Sequence, residues 1–278
     1  MAHFYEKIHE DNINYSVEFS KIISMVKVER HYFTSYSEPF LDYLNDNIFR
    51  SLKIAGNYND VFQFFLDVED SAKDAAELFL FTCELILTLL YQADEKFGLS
   101  KTMVFKNFLA DVIRVIDYDL RKLNLTKKKI EHNEFGNIIV IIPNDELLEK
   151  TLEDISDRNI QDYLIEYSSS RCDGNIQRKE ELLILMQKYV EGFTKNKDLS
   201  YKEFHKELFS NVDYLYNNLD LRHNKDVKDK SLYLETKDNR EYWLDMLYRL
   251  SLYVINIPTE VKYAKQIKEV KRKIYGDN

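Results

Sequence analysis

Residues Ala76–Tyr91 read AELFLFTCELILTLLY, a run interrupted only by Glu77, Thr82, Glu84 and Thr88. Its apolar positions cover more than one face of a 3.6-residue helix, so the segment predicts a helix buried on most sides rather than one lying on a surface. It falls short of the roughly 20 residues a bilayer span needs and contains two glutamates, which reads against a membrane anchor. Glu84 and Glu77, seven residues apart, fall on one helical face and read as the single exposed stripe of this helix. The alternative is a buried Glu84 carboxyl, whose raised pKa would suit general acid/base chemistry.

Outward from this helix, the 278-residue chain holds only 6 glycines and 3 prolines, about 3% against an average near 12%. So few breakers exclude a turn-dense β architecture and predict an all-α, multi-helix bundle of about ten helices. The expected helices run over 10–29, from Ser37-Glu38-Pro39 to Gly56, from Asn59 or Asp60 through the apolar run to Gln92, and from Ser100 to Leu123. Residues 124–136 (NLTKKKIEHNEFG) are polar and interrupted. Asn137–Pro143 (NIIVIIP) is a β-branched run between Gly136 and Asn144, and predicts one short extended segment near 137–142. It needs a hairpin partner or a helix to lie against. A soft boundary here divides an N-terminal helical region, 1–130, from a C-terminal one, 131–278. Further helices are expected at 144–154, 158–168, 175–191, 199–222, 238–257 and 259–275, the last two separated by Pro258.

Composition excludes several chemistries. The glycines are too far apart for a GxGxxG or P-loop nucleotide site, and no histidines pair at i,i+4 for a HExxH zinc site. Two cysteines, Cys83 and Cys172, form neither a disulfide framework nor a CxxC pair. No metal and no cofactor is therefore expected. The N-terminus lacks the basic and apolar regions of a signal peptide, which predicts a soluble cytoplasmic protein without membrane attachment. The net charge of −9 disfavours whole-surface attraction to nucleic acid. Six basic residues after Thr259 face three acidic ones. Lys262, Lys265, Lys268 and Arg272 lie opposite an apolar face of Tyr263, Ile267, Val270 and Ile274. That helix reads as a candidate phosphate-tracking or partner-docking ridge, or as a solvated lysine face.

The candidate site lies at the end of the 199–222 helix. Phe204, Leu208, Val212, Leu215 and Leu219 form a core stripe, and projection at 100° per residue puts Arg222 at its edge. LDLRHNK then delivers Arg222, His223 and Asn224 where a buried face stops, beside the polar loop KDVKDK. A packed arginine there needs a carboxylate or carbonyl partner. The same residues could equally complement the helix dipole, with Asn224 as a left-handed cap.

The stretch FSNVDYLYNNLDLRHNKDVKDKSLYLETKDNREYWLDMLYRLSLYVI resembles the C-terminal part of HEPN-type α-helical domains of prokaryotic abortive-infection and toxin–antitoxin systems. The likeness is one of layout: a long helix, a polar Arg/Asn/His-bearing turn, and a final apolar helix that starts with Trp and Tyr. The resemblance implies a defence-associated, metal-independent endoribonuclease acting on RNA, often as a homodimer. Arg222 would match the family's arginine and His223 its polar neighbour. The family's histidine falls four to six residues beyond the arginine, where this chain has Asp226, Val227 and Lys228. The other reading is a non-catalytic acidic helical protein, an adaptor or inhibitor that binds a protein partner through its tyrosine-rich surface. The apolar density of Trp243–Ile257 suggests a homodimer through the C-terminal helices, or a helix in the monomer core.

Overall fold

A computed structural model describes residues 13–27, 29–30, 38–56, 60–132, 134–195, 205–219, 221 and 237–275. Ten α-helices, four short 3-10 helices and two small two-stranded sheets make up the regular structure of these residues. The fold is all-α, as the scarcity of glycine and proline predicts. The chain divides into two compact units, one formed by residues 2–144 with 168–173, the other by 145–167 with 174–278.

The first unit contains α1 (Tyr15–Lys27), β1 (Glu29–Arg30), β2 (Glu38–Pro39), α2 (Phe40–Asn47), α3 (Val61–Ser71), α4 (Ala75–Phe97), α5 (Met103–Lys122), β3 (Leu125–His132) and β4 (Gly136–Pro143). Local chemistry sets several helix starts. Asp60 accepts the Phe62 amide, Asp74 those of Ala76 and Glu77, and Thr102 that of Phe105, each side chain taking donors that the first turn leaves unpaired. Gly98 ends α4 in the left-handed conformation, at φ 63°, which a residue with a Cβ adopts only with strain.

Helix α4 has 23 residues and mean hydropathy 1.4 over its most apolar window, so it is longer than the apolar run alone suggests, and long enough to reach across a bilayer. That window is nonetheless 78% buried within the fold. It packs against α1, α3 and β4, and Phe79, Leu80, Leu87 and Leu90 are wholly enclosed. Each such side chain contributes roughly 1.5–3 kcal/mol relative to exposure.

The extended segment near 137–142 is one arm of a hairpin. β3 and β4 pair antiparallel from Leu125↔Pro143 to His132↔Gly136, so part of the polar stretch 124–136 is a strand. Its lysines hid it by breaking the apolar alternation, but Lys127 pairs with Asp117 and Lys129 with Glu95, 3.5 Å away. The hairpin lies whole within the first unit, whose limit falls at Asn144/Asp145, so a boundary at 130/131 would divide a continuous ladder.

The second unit contains α6 (Glu146–Asp154), α7 (Arg158–Tyr167), α8 (Ile176–Thr194), α9 (Lys206–Asn218) and α10 (Lys237–Tyr275). Helix α10 packs on α6, α8 and α9, burying Leu244, Leu247, Leu252, Val254 and Ile255. The apolar density of 243–257 is thereby accounted for inside the unit. Pro258 does not separate two helices, because α10 continues through it for 39 residues. Proline removes one amide donor and crowds the preceding turn, and here the helix is anchored just before it by Asn256, which donates to Thr151 and to the Leu252 carbonyl.

Candidate functional site

The residues of the predicted site, Arg222, His223 and Asn224, lie outside the described residues, but the point from which their segment departs is defined. Helix α9 ends at Asn218, four residues before Arg222. The Leu219 amide donates to the Leu215 carbonyl, and the Leu221 amide reaches back to Tyr216 at 3.2 Å, a five-residue closure that turns the chain out of the helix. The regular helix thus stops at Asn218, short of the 199–222 span that its periodicity predicts. Leu219 and Leu221 are buried, and Arg240 on α10 donates to the Leu219 carbonyl at 3.1 Å.

Of the predicted basic ridge, Lys262, Lys265, Lys268 and Arg272 all fall within α10. Lys262 and Lys265 are exposed. Ile267, assigned to the apolar face of that helix, is 56% exposed.

The described part of the second unit holds an ionic cluster that sequence reading missed. Lys179 on α8 is 4% exposed, and its Nζ lies 2.8 Å from Glu241 and 2.7 Å from Asp245 on α10. The Tyr167 hydroxyl donates to Asp245 at 3.0 Å, and the Gly174 amide to Glu241 at 2.7 Å. Burial pulls the Lys179 pKa down, but Asp245 and Glu241 outweigh it and hold the ammonium above its ordinary 10.5. Paired on all sides, this lysine is a structural cation rather than a nucleophile.

In the first unit, Glu84 is fully buried and Glu77 nearly so, which overturns the exposed stripe. Helical spacing placed them on one face correctly, but β4 covers Glu84. Glu84 Oε1 accepts the Ile141 amide at 2.6 Å and the Ser170 hydroxyl at 3.4 Å, while Oε2 accepts Arg171 Nε at 2.7 Å. Thr88 Oγ1 accepts the Ile139 amide at 2.9 Å, and Gln92 donates to the Phe135 and Asn137 carbonyls at 2.7 and 2.8 Å. Glu84, Thr88 and Gln92 repeat every four residues, a rise of about 6 Å on a helix, close to the ~6.8 Å of two strand residues. One helix face thus serves the free edge of β4 as a third strand would. The i,i+4,i+8 row of polar residues in an apolar run was the available signal.

Arg171 also borders a cleft of about 260 Å³ whose walls are predominantly apolar. Phe64 and Asp67 reach it from α3, Phe81 and Leu85 from α4, and Phe135 from the β3–β4 turn. Arg171 is 34% exposed, and among the described residues its only ion pair is the one to Glu84, through Nε. The Cys83 thiol is buried, and burial pushes its pKa well up, with Asp119 and Glu84 adding to the effect, so it is no nucleophile. Among the described residues, no group of three or more histidine, cysteine, aspartate or glutamate side chains could hold a metal ion.

Comparison of the chain with protein-family models, with curated proteins and with solved structures gives no match.

Proposed function

We propose that the protein is a prokaryotic defence-associated, abortive-infection-like protein of HEPN type, and that it cleaves RNA without a metal at Arg222, His223 and Asn224. The observation that carries this reading is the packing of the described residues on either side of Arg222, His223 and Asn224. Leu219 and Leu221 before them are buried, and Arg240 of α10 after them donates to the Leu219 carbonyl. Flanks held together in this way lower the entropic cost of bringing side chains from the intervening stretch to a phosphodiester. In this chemistry the RNA 2′-oxygen attacks the adjacent phosphorus and His223 takes its proton. Arg222 faces the charge that develops on the phosphoryl oxygens, and the 5′-oxygen leaves with a proton from water. The products are a 2′,3′-cyclic phosphate end and a 5′-hydroxyl.

The test is digestion of total RNA by the purified protein in the presence of EDTA, with Arg222→Ala and His223→Ala in parallel. Cleavage by the parent and its loss in both variants is the expected result. Intact RNA with the parent protein overturns the catalytic reading.

A second reading, a non-catalytic acidic interaction protein that binds a protein partner or a second copy of itself, is favoured by the net charge of −9 and by the exposed rings of Tyr118, Tyr214, Tyr242 and Tyr253, a residue type enriched at interfaces. Sedimentation that gives only a 33.3 kDa species at micromolar concentrations would remove the homodimer.

A further inference from the structure

We infer that the cleft bordered by Arg171 is a binding site for a small monocarboxylate with an aromatic or branched apolar body. The site belongs to the first unit and is independent of the proposed RNA chemistry.

Three features carry it. The first is convergence. Phe64, Phe81, Leu85 and Phe135 come from α3, α4 and the hairpin turn to wall a single space of about 260 Å³, enough for one ring with a short side chain. Largely apolar clefts with a few fixed polar groups are the usual form of small-ligand sites. The second is the way the arginine is held. Arg171 Nε is bound by the wholly buried Glu84, which Ile141 and Ser170 fix in turn. A guanidinium clamped through Nε loses little further freedom when its Nη edge meets a carboxylate, which it can engage with two parallel hydrogen bonds.

The third is charge. Glu84 already balances Arg171, so the cleft offers an anion the hydrogen bonds of the guanidinium Nη edge rather than a net positive charge. Two such bonds suit a single carboxylate, whereas the second charge of a dianion would find no compensation from this pair. Apolar walls likewise oppose a strongly hydrated phosphate. The matching occupant is a monocarboxylate, not a phosphate ester or a nucleotide.

The experiment uses the full chain and four compounds: 3-phenylpropanoate, 4-methylpentanoate, 3-phenylpropanamide and phenyl phosphate. Binding is read by ligand-observed NMR and by thermal melts. Saturating carboxylate is expected to raise Tm by about 2–4 °C. The amide and the phosphate should give no shift. Arg171→Lys keeps a cation beside Glu84 and should fold, but lose the carboxylate response at least about tenfold. Phe135→Ala leaves Glu84 and Arg171 untouched and should also weaken binding. The assignment is overturned if neither carboxylate binds, if amide or phosphate binds equally well, or if Arg171→Lys retains the parent response. None of these results bears on RNA cleavage, which is read separately at Arg222 and His223.

Discussion

Glu84 and Arg171, 87 positions apart in sequence, meet at 2.7 Å, the carboxylate wholly enclosed and the guanidinium about one-third exposed. The asymmetry decides how the pair responds to mutation. Glu84→Ala removes the acceptor of Arg171 and of the Ile141 amide together and opens a cavity, so about 3–5 kcal/mol of stability should be lost. Arg171→Ala should cost less, because Glu84 retains the Ile141 and Ser170 donors and water can reach the vacated position. Urea unfolding of the two variants checks the order. A Glu84→Ala protein as stable as its parent would show that the buried carboxylate does not hold the hairpin.

Thr82 and Thr88 provide a matched pair on α4. Thr88 accepts the Ile139 amide, whereas the Thr82 hydroxyl is buried without a hydrogen-bond partner among the described residues. Thr88→Val should therefore destabilise by roughly 1–3 kcal/mol, the cost of an orphaned buried amide. Thr82→Val should be neutral or stabilising. Equal melting temperatures for the two variants would contradict the account of β4 as a strand edge served by the helix.

Lys179 should behave as half of a permanent ion pair. Its folded-state pKa lies above the ordinary 10.5, so its contribution is complete below that value and is lost only as pH rises through the raised one. No lysine-linked change in stability is expected between pH 6 and 9. Lys179→Met leaves Glu241 and Asp245 facing each other in a buried setting and should cost about 3–5 kcal/mol. Chemical denaturation of parent and variant across that pH range measures both.

Asp119 on α5 runs the other way. Burial raises its carboxyl pKa above the ordinary 3.8, the Glu18 charge raises it further, and Lys21 partly offsets them. An acid whose folded pKa is raised favours the native state while protonated, and that contribution fades as pH climbs from 3.8 through the raised value. Asp119→Asn should flatten this limb of the stability curve and raise the melting temperature at pH 7 relative to the parent. A variant whose pH profile overlays that of the parent would show that Asp119 does not titrate in this window.

Local rules and tertiary placement divide the molecule between them. The apolar run of 76–91 and the near absence of Gly and Pro determined an all-α protein with one central helix, because burial on most sides leaves no other use for such a segment. Asp60 as a cap, Gly98 as a stop and Asn137–Pro143 as a strand were also local matters, legible in neighbouring residues. The partner strand at 125–132 was not, since its lysines look like loop until Asp117 and Glu95 are seen to pair with two of them. Nor was the end of α9, where an apolar stripe continues in sequence although the backbone has already turned at Leu221. Pro258 likewise breaks a helix in isolation, yet inside the second unit the packing of α10 against α6, α8 and α9 outweighs one missing hydrogen bond. Sequence periodicity put Glu77 and Glu84 on one helical face. Whether that face met water or a strand depended on residues some 57 positions away, since Ile141 is what buries Glu84, and burial is a property of the whole chain rather than of any window of it.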